Sequence, residues 1–386
     1  MYNKKLANGK VKFYDTYLSL DGKRRQVTVT MNTASSQTQR EARKQLDLKI
    51  QRKLEEEQAA LDLMHNATVK QVFEDYWKIR KFEIAETTAY QESKDYLSFL
   101  DDFEFGKRKI KEISSIELQK FVNFFDSYSS KKKYKRYLMQ LFEFAFQMRY
   151  IDINEALRLR IPKQKVSLAT VQKREMKFFT IEEMREFIDG AKLYVKNLVD
   201  DYQKKNAYRK LLISEFLFLT GLRFGEMAGL TWENVNILQR EIYICASWSA
   251  NLHKNGTTKN IQSVRYVKLT ERAAEILNLM RAEDTNSEFV FVTTGNKPFS
   301  SPNFNAFMKK VGEKIQLSGK HASSFSAHML RHSHITLLVT LGLPQKVIME
   351  RVGHSDPKTT SVIYTHVLSE QRHETIQKLE NVRLID

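Results

Sequence analysis

Residues of the C-terminal half carry side chains suited to chemistry on an anion. Arg223 stands in Thr220-Gly221-Leu222-Arg223-Phe224-Gly225-Glu226. His328 and Arg331 stand in Ala327-His328-Met329-Leu330-Arg331-His332-Ser333-His334. His354 follows in Arg351-Val352-Gly353-His354-Ser355-Asp356. Lys259 falls in Thr257-Thr258-Lys259, and Tyr364 in Thr360-Ser361-Val362-Ile363-Tyr364-Thr365-His366-Val367. A guanidinium is a planar fork of donors that matches the non-bridging oxygens of a phosphate. Imidazole exchanges protons near neutrality, and a tyrosine hydroxyl, with a pKa of ~10, becomes a nucleophile if its proton is taken during attack.

Each string has a plain structural reading when taken alone. Gly221 fits the C-terminal cap of a helix ending in the apolar run Leu211 to Leu219. Glu226, three residues after Arg223, can orient its guanidinium or simply form a surface ion pair. A lysine at a hairpin tip is ordinarily solvated, and a tyrosine in an apolar string is ordinarily core. Three histidines between 328 and 334 raise the question of a metal. HExxH is absent, however, and further ligands at metal spacing are lacking, so no metal and no other cofactor is expected.

The elements that must position these side chains follow from periodicity. Thr180-x-x-Glu183 is a capping box that opens a third segment of helices. A hairpin is expected from Glu241–Ser247 and Ser263–Leu269, with Asn255-Gly256 as a turn signal, and helices then run to the end. Before it, residues 67–162 read as helical. Thr68-x-x-Gln71 and Ser114-x-x-Glu117 cap helices, and Tyr134, Tyr137, Leu138, Leu141, Phe142 and Ala145 form an inward stripe. The aromatics there fit core packing better than base stacking. Residues 163–177 are basic and weakly periodic and read as a linker.

Residues 1–66 alternate with period two around Val11, Phe13, Val27, Val29 and Met31. The two strands are joined by a turn at Asp21-Gly22. Thr38-x-x-Glu41 reads as the cap of a helix with Ala42, Leu46, Ile50 and Leu54 inward.

Charge narrows the partner. Of the 386 residues, 63 are Lys or Arg and 46 Asp or Glu, a formal net charge of +17 that favours a polyanion. Residues 1–53 alone hold 13 Lys/Arg against 4 Asp/Glu. Lys12, Arg24 and Arg25 on the strands, and Lys132, Lys133, Lys135 and Arg136 on the helix carrying the aromatic stripe, are the candidate DNA-binding cations. Their plain alternative is a solvated surface. No apolar run approaches the ~18 residues of a membrane span, the start lacks a signal-peptide core, and the single Cys245 forms no internal disulfide. A cytoplasmic protein is expected.

In order, Arg223, Lys259, His328-x-x-Arg331, His354 and Tyr364 resemble the active site of tyrosine recombinases, the bacteriophage lambda integrase family. The matching strings are Thr220–Glu226, His328–Ser333, Val352–His354 and Tyr364–Val367. Met329, Ser333 and Val352 depart from the usual boxes without removing a functional group. Lys254 competes with Lys259 for the family's hairpin lysine. The resemblance is strongest over 180–370 and reaches more weakly over the rest. It implies a multidomain, mainly α fold with small β-sheets. The parts are a small N-terminal β-sheet-plus-helix arm-binding domain (1–66), a helical, SAM-like core-binding domain (67–162), and an α+β catalytic domain with a C-terminal tail (178–386).

The resemblance also implies a mechanism. Tyr364 attacks a phosphodiester to give a 3′-phosphotyrosine and a free 5′-hydroxyl. Arg223, Arg331 and His354 bind the non-bridging oxygens, His328 accepts or orients the tyrosine proton, and Lys259 protonates the leaving oxygen. The covalent link conserves bond energy, so neither ATP nor metal is needed. The implied partners are double-stranded DNA at specific attachment sites, a homotetramer on synapsed DNA with exchanged tails (Glu370 to Leu384), and in some cases an accessory excision protein. The implied setting is a bacterial nucleoid, in the service of a phage or conjugative element. A type IB topoisomerase-like relaxing enzyme shares the chemistry but has no use for the basic N-terminal unit. An inert DNA-binding regulator would not need the full residue set, and a metal-dependent nuclease would need the histidines as ligands.

Overall fold

A computed structural model describes residues 1–162, 178–257, 263–283, 286–315 and 325–354, together with 357 and 361. The chain divides into two compact units, Met1–Gln164 and Lys165–Asp386.

In the first unit, strands β1 (Tyr2–Lys5), β2 (Val11–Leu18) and β3 (Arg24–Met31) form an antiparallel sheet in that order. β1 is exposed along its whole length and carries no apolar alternation, which is why periodicity does not reveal it. Helix α1 (Ser36–His65) lays Ala42 and Leu46 on Phe13, Val27 and Val29, with Ile50 and Leu54 partly buried beside them. Its cap is Ser35, whose side chain accepts from the Thr38 N–H, rather than Thr38 itself. The Thr38 hydroxyl is instead engaged by Thr33 and Ser35. Glu57 on α1 reaches back to the β2–β3 turn, accepting from Ser19 Oγ, the Leu20 N–H and Arg25.

A separate cluster follows on α2 (Val69–Glu83), α3 (Glu86–Asp102), α4 (Ser115–Phe124) and α5 (Tyr128–Gln147). Thr68 and Ser114 close reciprocal capping boxes with Gln71 and Glu117, as their spacing predicts. All six residues of the expected α5 stripe are buried. Phe73, Tyr76, Tyr96, Phe99 and Phe121 pack against one another or against α5, so these aromatics are core.

The second unit begins its described helices with α6 (Ile181–Lys196), capped by Thr180 in a box with Glu183. The buried α7 (Asp201–Thr220) and the short α8 (Phe224–Ala228) come next. Strands β4 (Val235–Asn236), β5 (Glu241–Ile244), β6 (Ala246–Ser249), β7 (Lys254–Thr257) and β8 (Arg265–Lys268) form two small sheets, β4-β5-β8 and β6-β7. Helices α9 (Glu271–Ala282), α10 (Ser301–Ile315), α11 (Ala327–Thr340) and α12 (Gln345–Val352) complete the described part. Their core gathers Phe179, Phe187, Phe216, Phe291, Phe304 and Phe325 around α7.

The expected hairpin exists as the β5–β8 pairing, with Ile242 opposite Val267. Asn255-Gly256 is not its turn. Both residues are paired within β7, opposite Trp248 and Ser247. Asn255 Nδ2 donates to the Gly229 carbonyl at the end of α8, so a tertiary contact draws the dipeptide into a strand. Among the described residues no helix is long and apolar enough to cross a membrane.

Candidate active site

The site is built on three helix termini. α7 ends at Gly221, whose φ of +67° belongs to the left-handed region. Its N–H donates to the Leu217 carbonyl, and a Cβ there would lie 2.3 Å from His334 Cδ2. Both the backbone sign and the contact demand glycine. The chain turns at Leu222 and starts α8 with Arg223 as its cap residue. The Arg223 N–H donates to Glu226 Oε2 at 3.0 Å, and its Nη1 to Oε1 at 2.6 Å.

α11 carries His328 and Arg331. Arg331 is 4% exposed, and its Nη1 and Nη2 donate to the carbonyls of Gly221 (2.7 Å) and Val352 (2.6 Å). α12 ends at Gly353, with φ +69°, and His354 follows. Arg223 Nη2 donates to the Gly353 carbonyl at 2.7 Å. A third guanidinium, that of Arg265 on β8, donates from Nε to the Arg351 carbonyl at 2.8 Å. The consecutive carbonyls 351, 352 and 353 therefore each accept from a different arginine. Carbonyls in a last helical turn lack intrahelical partners and form the negative end of the helix dipole. They suit cations, and here they fix three guanidiniums around one backbone turn.

Glu226 is the one carboxylate in this group of contacts and is 2% exposed. Burial alone would raise its pKa, but Arg265, Arg223 and Arg331 outweigh that and hold it below the usual value, so it stays ionised. Arg331 is pushed down to about 9 by burial and by Arg223, partly offset by Glu226, and is still charged at neutral pH. His354 is pushed down to about 4 by burial and then by Arg331, Arg223, His332 and Arg265. His328 lies on the exposed side of α11 over a packed floor. That surrounding mass, then Arg331 and Arg223, lowers its pKa too. Both imidazoles are neutral at pH 7 before an anion enters. A bound phosphate would raise both pKa values, because it adds negative charge beside them. The arrangement is thus an anion cradle: fixed guanidiniums with neutral imidazoles at its edge.

The departures from the usual boxes are accommodated by packing. Met329 and Val352 are buried apolar residues. Ser333 Oγ accepts from the Phe179 N–H at 2.7 Å and donates to the Met329 carbonyl. The third histidine, His334, is buried between the Phe218 carbonyl (2.8 Å, at Nδ1) and Arg351 Nε (3.1 Å, donating to Nε2). Burial and the charge of Arg351 push it down to about 3, so it is a neutral structural wedge. Among the described residues no cluster of His, Cys, Asp and Glu could hold a metal ion.

Arg223, Glu226, His328, Arg331 and His354 are thereby brought together. Lys259 and Tyr364 lie outside the described residues, as do the 163–177 stretch and the tail from Glu370 to Leu384. Lys254 is exposed on β7 opposite Ser249. Among the candidate DNA-binding cations, Arg24 and Arg25 are exposed on β3, with Arg25 paired to Asp21 and Glu57, and Lys12 is half-buried on β2. Lys132, Lys135 and Arg136 line a shallow groove with Met139 and Leu157. Lys133 instead pairs with Asp95, at 3.0 Å.

Sequence reasoning did not single out Arg265 or Arg351, and raised His334 only as one of three histidines that could suggest a metal. For Arg265 a signal existed: it shares a strand face with buried Val267, so a charged side chain points where an apolar one is expected.

Known proteins bear on this geometry. The profile of the phage integrase family matches residues 179–371. A probable integrase of prophage ps2 in Lactococcus lactis subsp. lactis is 28% identical, covering 98% of this chain and 99% of that protein. The ICEBs1 integrase of Bacillus subtilis is 27% identical, covering 60% of this chain and 61% of its own. In fold, the chain is similar to the Tn1549 transposon integrase in complex with transposon right end DNA. That match has a TM-score of 0.60 at 17% identity and covers 81% of this chain and all of that one. A lambda integrase tetramer bound to a Holliday junction matches with a TM-score of 0.55 at 17% identity, over 92% of this chain and 96% of that one.

Proposed function

The chain belongs to the phage integrase family and is a site-specific DNA recombinase that breaks and rejoins strands, and from that premise we propose how its own residues do so. Arg223 and Arg331 bind the non-bridging oxygens of the scissile phosphate, and His354 donates to the same oxygens. Tyr364 attacks phosphorus, giving a 3′-phosphotyrosine and a free 5′-hydroxyl. His328 receives or orients the tyrosine proton, and Lys259 protonates the leaving oxygen. Religation runs the same steps backwards with a new 5′-hydroxyl, so the sequence of steps conserves phosphoester bonds and consumes no ATP.

The observation that carries this reading is the pair Arg223–Arg331 held by adjacent carbonyls of one helix end. Preorganised donors of this kind stabilise growing charge without reorganising during the reaction. The substrate is double-stranded DNA at attachment sites, cut and joined to integrate and excise a mobile element. The working assembly is a homotetramer on synapsed DNA, with an accessory protein biasing excision. Residues 1–66 engage arm-type sites, 67–162 the core site, and 178–386 the scissile phosphate. Lys12, Arg24, Arg25, Lys132, Lys133, Lys135 and Arg136 supply phosphate contacts, which set register rather than sequence.

Nicked suicide duplexes taken from the junction between the element and its chromosome test the reading. Wild-type protein should form a covalent adduct, and Tyr364→Phe should form none while still shifting the duplex. An adduct persisting in that variant would place the nucleophile elsewhere. Relaxation of plasmids lacking such a junction at the same rate would favour a relaxing enzyme.

A further inference from the structure

Arg265 is seated where it controls two parts of the cradle at once. Its Nη2 donates to Glu226 Oε2 at 2.9 Å, and its Nη1 approaches Oε1 at 3.4 Å. The same two oxygens also hold Arg223 through both backbone and guanidinium. The remaining donors of Arg265 go to the carbonyls of Arg351 (2.8 Å) and Ser263 (2.8 Å). Its guanidinium also fills the space beneath Gly353, where a Cβ would come within 2.7 Å of Nη1. The side chain is 7% exposed, and its Nε, Nη1 and Nη2 are all engaged by protein acceptors.

The charge balance gives this placement a consequence. Glu226 is buried and ionised between two guanidiniums. With Arg265 present, the carboxylate is neutralised by a second guanidinium, and the positive charge of Arg223 remains for an incoming anion. Without Arg265, the negative charge of Glu226 acts on Arg223 and, more weakly, on Arg331. In a low-dielectric site that cancels much of the attraction Arg223 can exert.

We propose that Arg265 is a positioning residue of the strand-cleavage reaction: it shields Arg223 from Glu226 and fixes the Arg351–Gly353 turn from which His354 projects. This rests on the reading that Arg223 binds the scissile phosphate. Charge is the specific content of the idea, so the phosphate's own charge is the probe.

The experiment uses full-length protein and the nicked duplex described above. The scissile position carries either the natural phosphodiester or an uncharged methylphosphonate, and total strand cleavage is followed in single turnover. Arg265→Ala should slow phosphodiester cleavage by about tenfold to a hundredfold, somewhat less than loss of a direct oxyanion donor. It should slow methylphosphonate cleavage by only about threefold at most, since little charge is left to stabilise. Adding Glu226→Gln to Arg265→Ala removes the unshielded charge and should recover about tenfold of the phosphodiester rate. Arg265→Lys, which keeps charge but loses the fork, should lie between wild type and Arg265→Ala. It also serves as the test variant if the alanine protein does not fold.

Equal slowing on both substrates, or no recovery in the double variant, would overturn the proposal, because a purely structural arginine predicts both. Arg223→Ala, run alongside, should show the strongest preference for the neutral substrate. If it shows none, the phosphate-binding reading of Arg223 fails. A selective loss in Arg265→Ala alone would still place charge control at Arg265.

Discussion

On α5, Lys132 and Arg136 sit outside an aromatic stripe and meet solvent or a neighbouring ring, while Lys133 pairs with Asp95 and Lys135 donates to the Leu159 carbonyl. Lys132 lies over Tyr128 at 4.8 Å and Arg136 over Tyr137 at 5.1 Å. At the ends of α7, α11 and α12, the cations are turned inward and their donors are assigned to named carbonyls. Lys132 and Arg136 keep freedom to adjust, whereas the guanidiniums of the second region have almost none. A long-range field needs only the first. Stabilising charge that develops on one phosphorus centre needs the second, because donors that must reorganise during reaction lose most of their advantage.

The comparison predicts effects of decreasing size. Arg331→Ala removes a 4%-exposed guanidinium and leaves two carbonyls unpaired, and cleavage in single turnover should fall about 10²–10³-fold with duplex binding little changed. A drop below tenfold would mean that the fixed cations act no differently from solvated ones.

Gly221→Ala forces a side chain onto His334 and strains a left-handed residue whose carbonyl anchors Arg331. Denaturant unfolding should show a loss of about 1–3 kcal/mol, with cleavage reduced as well. Unchanged stability would show that the floor can yield.

Acidification acts next. His354 and His334 have folded pKa values of about 4 and about 3, both below the ordinary 6.5. Between the folded and unfolded values the unfolded chain binds more protons, so stability present above 6.5 is lost as pH falls toward about 4. The melting temperature of DNA-free protein should therefore drop between about pH 7 and about pH 5, and less steeply in His354→Asn. Parallel slopes for the two proteins would argue that His354 titrates normally.

The smallest effect belongs to the solvated cations. Lys132→Ala should weaken duplex binding evenly across sequences and lower the salt-dependence slope by about 1, leaving saturated cleavage rates intact. A large loss of cleavage would erase the distinction between the regions.

Much of the local structure is readable in the chain. Thr68, Ser114 and Thr180 close their capping boxes where spacing places them, because the atoms involved lie within one helical turn. The α5 stripe and the Gly221 cap are local in the same sense. Errors arise where a distant partner intervenes. Asn255-Gly256 is drawn into β7 by Gly229 and β1 is held by its pairing with β2, whereas Ser35 takes the capping role from Thr38 within a single turn. In the site, Arg223, Glu226, His328, Arg331 and His354 are legible from their strings and order. Arg265 and Arg351 are not, because what they do depends on carbonyls and a carboxylate tens of residues away.

By itself, then, the sequence determined which helices form, which faces they bury, and which residue types stand ready for a phosphate, since those depend on neighbours within a few positions. Only the tertiary structure decided that three guanidiniums would share one helix end, and that two of them would also share one carboxylate. The donors come from α8, β8 and α11, the carbonyls from α12, and their meeting is set by long-range packing that no local spacing encodes.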